Sequence, residues 1–166
     1  MIFDDTLINY REDNGFWIQE PFVEILSEYI CNEYEKNEIE SYSPGLQRIY
    51  RDCDTNRKGE SIGMVNILFD EAIKSVEDEY DLITILENVK NTLLVKDEKI
   101  EIEELNEIES RKTDDCFKIE WNKPIYISSI NAVLDIMIKM LKGELQSKSY
   151  AIRFKGFGAP DGAEEV

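Results

Sequence analysis

Apolar residues recur at intervals of three and four over much of the chain, and this spacing places them on one face of an α-helix. It predicts a first helix over residues 20–37, with Pro21 in the first helical turn, where proline is well tolerated. A second helix is predicted to begin near Pro44. Residues 62–76 and 82–93 have the same spacing on either side of the sequence DEYD, which predicts two antiparallel helices joined by a turn.

The C-terminal third mixes two kinds of pattern. The segment KIEIEELNEIESRK alternates like a strand at its start but spaces its later apolar residues like a helix, and a short helix is favoured. The sequences CFKIEW, PIYI and SYAIRFKGF predict short strands. SSINAVLDIMIKMLKG predicts a helix, with Ser129 as its N-terminal cap and Gly143 at its end.

These patterns predict an α+β fold that is predominantly helical, with a small sheet in the C-terminal third. The length of 166 residues and the apolar share of 42% are typical of one domain with one core. We expect a single acidic globular domain over residues 1–155. Residues 156–166 are rich in small residues and include two final glutamates, which indicates a flexible C-terminal tail.

The charge balance narrows the choice of partners. Lys and Arg number 19 and Asp and Glu number 36, which gives a net charge of −17. Such a surplus repels nucleic-acid phosphates and anionic lipid, so we expect no direct nucleic-acid or membrane binding and favour a basic protein partner. The surplus lies in two blocks: residues 1–40 hold 11 acids and 2 bases, and residues 61–116 hold 16 acids and 6 bases.

Each acidic block contains a candidate binding surface. In the first helix Glu20, Glu24 and Glu28 recur every four residues, which predicts a carboxylate stripe opposite the apolar face. Glu35 continues the same side. The second block contains a cluster of acids: Asp97, Glu98, Glu101, Glu103, Glu104, Glu107 and Glu109. The candidate partner-binding residues are Glu24, Glu28, Glu35, Glu101 and Glu104. The alternative is that both blocks are solvated faces that only keep the protein soluble.

Residues needed for common enzyme chemistry are missing from the sequence. It contains no histidine, which removes the usual nucleophile pairs and the commonest metal ligand. Asp52, Asp54 and Asn56 match the first three ligand positions of an EF-hand loop. The match then fails, because Arg57 stands where glycine is required and Gly63 where a glutamate ligand is required. We expect no catalytic residues, no metal and no cofactor, and therefore a protein that is not an enzyme.

The cysteines and the N-terminus indicate a compartment. Cys31, Cys53 and Cys116 are far apart and odd in number, so they are expected to be buried, reduced thiols. The first residues carry acids where an export signal would carry positive charge, and no apolar run is long enough to span a bilayer comfortably. A cytoplasmic location is expected.

Taken over its whole length, the chain resembles the immunity proteins of bacterial polymorphic toxin systems, especially those of contact-dependent growth inhibition. The resemblance lies in the acidic blocks around residues 24–40 and 98–109, the helical N-terminal half and the lack of a catalytic set. It implies a protein that neutralises a cognate toxin domain, commonly a basic nuclease, by covering its active site or substrate groove. The alternative is an acidic regulatory protein that mimics nucleic acid and sequesters a DNA- or RNA-binding protein.

Overall fold

The computed structural model describes residues 4–11, 14–60, 64–145, 152–154 and 163–165. Its helices are α1 (Glu20–Tyr34), α2 (Pro44–Arg57), α3 (Phe69–Ala72), α4 (Val76–Leu94), α5 (Ile102–Ser110) and α6 (Ile127–Lys142). Its strands are β1 (Asp5–Tyr10), β2 (Asn14–Gln19), β3 (Lys99–Ile100), β4 (Ile125–Tyr126), β5 (Ile152–Phe154) and β6 (Ala163–Glu165). Single 3₁₀ turns lie at Ile39–Ser41 and Asp115–Phe117.

The larger sheet joins the N-terminal hairpin to the last strands, in the order β1-β2-β5-β6. β1 and β2 pair antiparallel, and Ile8 and Phe16 lie opposite each other with both side chains buried. β5 runs parallel to β2, where Trp17 pairs with Arg153, and antiparallel to β6. A second, two-stranded sheet is formed by β3 and β4.

The helices pack into one core behind this sheet. α1 contacts α2 along its length and also α4, and α4 packs on α6. Most of the circumference of α1 is buried, because its apolar residues meet α2 and α4 while its glutamates meet basic side chains. A helix that is buried on nearly all sides acts as the centre of a fold rather than as a surface element.

The N-terminus of α2 is joined to the first turn of α4 through its capping residue, Ser43. Ser43 accepts a hydrogen bond from the Leu46 amide at 3.2 Å and donates its hydroxyl hydrogen to Asp78 Oδ1 at 2.6 Å. Gly45 lies so close that a Cβ atom there would stand 2.3 Å from the Ala72 carbonyl oxygen. Only glycine permits this approach, so the two helices begin at one compact junction.

Several predicted elements are confirmed, and so is the fold class, α+β and mainly helical. α1, α2 and α6 lie close to their predicted positions. Gly143 ends α6 with a φ of 71°, a left-handed conformation that glycine adopts without strain. The short helix favoured for residues 99–112 is α5, and the alternating start of that segment forms β3.

Of the helical pair predicted over residues 62–76 and 82–93, the second helix is confirmed as part of α4, whereas the first helix and the turn between the two are wrong. Residues 64–68 are not helical, only the short α3 follows them, and residues 61–63 lie outside the described residues. The sequence DEYD is not a turn but part of α4, which begins earlier because the Ser75 hydroxyl accepts a hydrogen bond from the Asp78 amide. Acids in a first helical turn also stabilise that end of the helix.

The cap and the strands predicted in the C-terminal third also change. Ser129 is not the cap of α6, because the helix begins at Ile127 and buries the Ser129 side chain. CFKIEW forms no strand, since its start belongs to the second 3₁₀ turn. PIYI contributes only the two residues of β4.

The end of the chain is described only in part. Of the predicted strand SYAIRFKGF the structure describes three residues, which form β5. Within the segment predicted as a tail, residues 163–165 pair with β5 as strand β6, and residues 156–162 and 166 lie outside the described residues. The larger sheet therefore includes the C-terminal strands as predicted and, in addition, an N-terminal hairpin that was not predicted.

Candidate functional site

The glutamates of α1 do not form the exposed stripe that their spacing predicts. Glu28 has a side chain only 8% exposed and is paired with two arginines, Arg57 at 3.5 Å and Arg111. Glu24 is paired with Lys112 at 3.0 Å. These bases lie beyond α1 in the sequence and cover the face on which the glutamates lie. The prediction of a solvent-facing carboxylate stripe is therefore wrong for this pair of residues.

Glu35 lies at the partly exposed end of the same face. Its carboxylate accepts a hydrogen bond from Arg57 Nη2 at 2.6 Å and another from the Tyr50 hydroxyl at 2.7 Å. Partial burial raises the pKa of Glu35, but these hydrogen bonds outweigh burial and hold the pKa below its usual value. Glu35 is thus held mainly by internal partners, although 37% of its side chain remains accessible.

Beneath this face lies a buried charge network centred on Lys112. The Lys112 side chain is 1% exposed and its ammonium lies 2.6 Å from Glu109 and 3.0 Å from Glu24. Glu109 also accepts hydrogen bonds from the Ile119 amide and from the Trp121 indole nitrogen. Burial raises the pKa of Glu24, and Lys112 offsets this only in part. The network fixes the segment after α5 onto α1.

A cleft of about 340 Å³ opens beside this network, lined by Glu28, Asn32, Glu35, Arg57, Lys58 and Arg111. The charged groups in it satisfy one another, since both glutamates and both arginines take part in the ion pairs described above, and Lys58 pairs with Asp54 at 2.7 Å. The cleft therefore offers little unbalanced charge to a ligand.

The second acidic block is different, because most of its carboxylates remain in solvent. Among the described residues no ion pair is formed by the following exposed acids of α4, α5 and the loop between them: Glu77, Asp81, Glu87, Asp97, Glu98, Glu101, Glu103 and Glu107. Glu104 pairs with Lys96 at 2.9 Å and is partly exposed. Glu109 belongs to the buried network instead.

Two apolar side chains stand among these acids. At the end of α4, Leu94 is 61% exposed and Val95 is 85% exposed, and Lys96 separates them from Asp97 and Glu98. We call the group formed by Leu94, Val95, Asp97 and Glu98 with Glu101 and Glu104 the α4–α5 surface. The Lys96–Glu104 ion pair joins α5 to the loop that carries Asp97 and Glu98.

The backbone under the α4–α5 surface is fixed by hydrogen bonds. The Glu98 carbonyl accepts a hydrogen bond from the Ile127 amide at 3.0 Å, and β3 pairs with β4 directly afterwards. Glu101 lies at the N-terminal end of α5, where negative charge is favoured by the helix dipole. The patch is thus presented on an ordered support rather than on a free loop.

Sequence reasoning missed the exposed pair Leu94 and Val95, although a signal was present. Leu93, Leu94 and Val95 are three consecutive apolar residues at the end of a helix, and a helix directs only about one residue in three or four to a single face. Leu93 is fully buried, so Leu94 and Val95 lie on other sides of the helix and not on its buried face.

The structure places the EF-hand-like residues and the three cysteines that the sequence offers as candidates for metal binding. In the part of the chain that the structure describes, no three acidic or cysteine side chains lie close enough together to hold a metal ion. Asp52, Asp54 and Asn56, the EF-hand-like string, lie within α2 and not in a loop. Cys31 and Cys53 are buried free thiols, whereas Cys116 is exposed, contrary to the prediction that all three are buried.

Two further results bear on function. No helix in the described ranges has both the length and the apolar character needed to cross a membrane. Comparison with protein-family models, with curated proteins and with solved structures finds no match for the chain.

Proposed function

We propose that this protein is an immunity protein that acts in the cytoplasm. It binds a cognate toxin domain through its α4–α5 surface and neutralises it by covering the active site or the substrate groove. The toxin domain is basic, and a nuclease is the favoured type. The single observation that carries the proposal is the exposed, unpaired set of carboxylates around Leu94 and Val95.

The unpaired acids are the first argument. Ion pairs inside a protein neutralise charge that a partner would otherwise meet. In the described residues Glu24 and Glu28 of α1 are paired in this way, whereas on α5 and the loop before it only Glu104 and Glu109 are paired. Asp97, Glu98 and Glu101 therefore lie at the surface without an ion pair to any described residue. Carboxylates presented in this way attract a basic protein from a distance and accelerate its association.

The exposed apolar side chains are the second argument. Interfaces that hold a partner firmly combine a small apolar centre with a polar rim. Leu94 and Val95 form such a centre, and the acids of the loop and of α5 form one side of its rim. A purely solubilising surface has no need of two adjacent exposed aliphatic residues.

These positions revise the candidate contact residues. Glu101 and Glu104 remain, and Glu98 joins them. Glu24 and Glu28 are less suitable, because a partner would have to displace Lys112 and the arginines from buried ion pairs. Only the accessible 37% of the Glu35 side chain is available to a partner. Inhibition requires no chemistry on the part of this chain, since carboxylates in the toxin's groove occupy positions that nucleic-acid phosphates otherwise take.

The test is an affinity capture that compares surface variants. The tagged protein is incubated with bacterial lysate at low and moderate salt, and bound proteins are identified by mass. We expect one predominant basic partner that is retained at moderate salt and that is toxic when produced alone but harmless when this protein is present. The double variant Glu98→Lys/Glu101→Lys should lose both the partner and the protection.

The matched control is Glu38→Lys/Glu40→Lys, which reverses two exposed acids in and beside the first 3₁₀ turn, outside the six residues of the α4–α5 surface. It should capture the partner as the unmodified protein does. If many nucleic-acid-binding proteins are captured and are released together as salt rises, nucleic-acid mimicry is the better account. Capture that is equal for both double variants would exclude the α4–α5 surface as the contact.

A further inference from the structure

The solvent-facing side of α4 carries apolar residues at both of its ends. Val76 is the first residue of the helix and is 78% exposed, and Tyr80, one turn later, is 71% exposed. Leu94 is the last residue of the helix and already belongs to the α4–α5 surface. The opposite face of α4 packs on α1 and α6. The helix therefore has one face in the core and another, with apolar ends, in solvent.

These apolar ends point in one direction. Leu94 follows Val76 by 18 residues, which is five turns at about 3.6 residues per turn, so both side chains leave the helix axis on the same side. Tyr80, Glu87 and Asn91 are exposed and lie within about 60° of that direction. We call these five residues the α4 row. The row is straight and about 27 Å long, at a rise of about 1.5 Å per residue.

The charge around the α4 row has one sign. Glu77, Asp81 and Glu87 are exposed and form no ion pair with any described residue. The only base in the sequence of α4 is Lys90, and it is paired with Asp135. A second copy of this chain would bring like charges together along the row. A partner that carries basic residues beside apolar ones is complementary to it.

The N-terminal end of the row stands on a fixed support. The Ser75 hydroxyl accepts a hydrogen bond from the Asp78 amide at 3.1 Å, and the Asp78 carboxylate accepts one from the Ser43 hydroxyl at 2.6 Å. The Arg11 guanidinium lies 2.7 Å from the Glu79 carboxylate. These contacts join the first turn of α4 to α2 and to the end of β1. A surface that is ordered before binding loses less conformational entropy when a partner arrives.

The size of the α4–α5 surface gives a reason to look beyond it. Specific protein interfaces use about 20–30 residues on each side, whereas the α4–α5 surface has six. A partner seated there must contact other parts of the molecule. The α4 row begins at Leu94, within that surface, and continues from it to the other end of the helix.

We infer that the α4 row is the docking site of a basic amphipathic helix of the partner. The row is narrow, straight and as long as about 18 residues of helix, which matches a second helix lying along α4. Apolar residues of that helix cover Val76, Tyr80 and Leu94, and its bases face Glu87. The inference rests on the proposed function for the identity of the partner as a toxin domain. The shape and charge of the row do not depend on that identity.

The test uses two synthetic peptides of about 20 residues, the length that spans the row. The first carries leucines at intervals of three and four, with lysines and arginines beside them, so that it forms a basic amphipathic helix. The second has the same composition with the leucine positions scrambled, so that it has the same charge but no apolar face. Binding to the full chain is followed by the chemical shifts of backbone amides in NMR spectra.

We expect the amphipathic peptide to shift the amide signals of residues 76–80 and 91–95 together, and the scrambled peptide to leave them nearly unchanged. The inference is overturned if both peptides act equally, because charge alone then accounts for binding. It is also overturned if neither peptide shifts these signals, or if the shifts are confined to one end of α4.

A pair of variants tests the apolar contacts. Val76→Ser/Tyr80→Ser should raise the dissociation constant of the amphipathic peptide about tenfold or more, since exposed aromatic residues often dominate an interface. Met64→Ser, which changes a side chain 79% exposed and outside α4, should leave it unchanged. Unchanged binding by the double variant would contradict the inference. So would a dimer of the unmodified protein that the double variant dissociates in sedimentation experiments, because the row would then belong to a second copy.

The same double variant separates this inference from the proposed function. If a toxin is captured and released by Glu98→Lys/Glu101→Lys but is held unchanged by Val76→Ser/Tyr80→Ser, the proposed function stands and the α4 row is not part of the contact. If the amphipathic peptide docks on the row but no toxin is captured, the row remains a docking site for a basic helix and the identity of the partner is wrong.

Discussion

The two acidic regions of this protein look alike in sequence and differ in structure. On α1, Glu24 and Glu28 are covered by Lys112, Arg57 and Arg111, which come from other parts of the chain. On the α4–α5 surface, most of the carboxylates stay in solvent beside exposed aliphatic residues. A run of glutamates therefore does not reveal its role by its spacing. What separates a structural acid from one available to a partner is whether the fold brings a base to it.

The largest effect should come from the base at the centre of the buried network. Lys112→Met keeps the length of the side chain but removes the charge that balances Glu24 and Glu109. We expect the free energy of unfolding to fall by about 3–5 kcal/mol, the usual result of removing one partner from a buried ion pair. Urea denaturation measures it. The control is Lys123→Met, at an exposed site without an ion pair among the described residues, and it should change the free energy of unfolding little. A decrease below about 1 kcal/mol for Lys112→Met would contradict the structural role of Lys112.

A direct comparison of one glutamate from each region should give the next effect. Glu28→Gln removes the charge held between Arg57 and Arg111. We expect the free energy of unfolding to fall by about 1–3 kcal/mol, the usual cost when a buried polar group loses its hydrogen-bond partner. Glu101→Gln should change stability by less than about 0.5 kcal/mol, because its carboxylate lies in solvent. Equal denaturation midpoints for the two variants would contradict the structural role of Glu28.

The dependence of stability on pH should separate two kinds of partly buried acid. Glu35 and Asp54 have folded pKa values below their unfolded ones, because hydrogen bonds from basic partners outweigh burial. Their stabilisation is present above the unfolded pKa and is lost as pH falls through the folded pKa, below about 4. Glu20, Glu24 and Asp52 have raised folded pKa values, so their contribution is full at low pH and is lost as pH rises through those values.

The unfolding free energy should therefore increase as pH is lowered from neutrality through the raised pKa values of Glu20, Glu24 and Asp52, and decrease again below about 4. Urea denaturation at several pH values measures both changes. Glu35→Gln should reduce the decrease at the acid end and leave the increase at higher pH in place. A steady loss of stability from neutral pH downward would contradict the assignment of the desolvated acids.

The smallest effect on stability should come from the apolar centre of the α4–α5 surface. Leu94→Ser removes an exposed side chain, so we expect a change within about 0.5 kcal/mol, measured by thermal or urea denaturation. Its neighbour Leu93 is fully buried, and Leu93→Ala should cost about 2–5 kcal/mol. Similar losses for both variants would show that Leu94 packs inside the protein and is not available to a partner.

Elements with strong local signals could be predicted from the sequence. α1 and α2 begin at prolines, α6 ends at a glycine, and all three have a clear helical period. The segment 62–76 misled because the buried residues Val65, Ile67 and Phe69 alternate, while Phe69 and Ile73 also fit a helical spacing. The N-terminal hairpin was missed because each of its strands contributes only two alternating buried residues. In addition, the hairpin pairs with β5, which lies more than 100 residues later in the sequence.

The candidate site could be predicted only in outline. The apolar spacing of this segment predicts the helix that carries Glu101 at its N-terminal end and Glu104 in its first turn. Glu101 is exposed and Glu104 is partly exposed. Glu28 is paired with Arg111, which lies 83 residues away in the sequence. A local sequence pattern does not reveal a contact between residues so far apart. The same limit applies to the cleft of about 370 Å³ between β1, α1, α2 and residues 64–68, whose walls come from four separate segments.

The parallel pairing of β2 with β5 has a consequence for how the molecule folds. Trp17 meets Arg153 in register, and the guanidinium lies 5.4 Å from the centre of the indole ring. On a ribosome the hairpin and the helices emerge long before residue 153 is available, so the sheet is completed last, and contacts between such distant residues form slowly. Indole fluorescence should therefore contain a late folding phase that Arg153→Ala alters, while helix formation, followed by circular dichroism, is already complete.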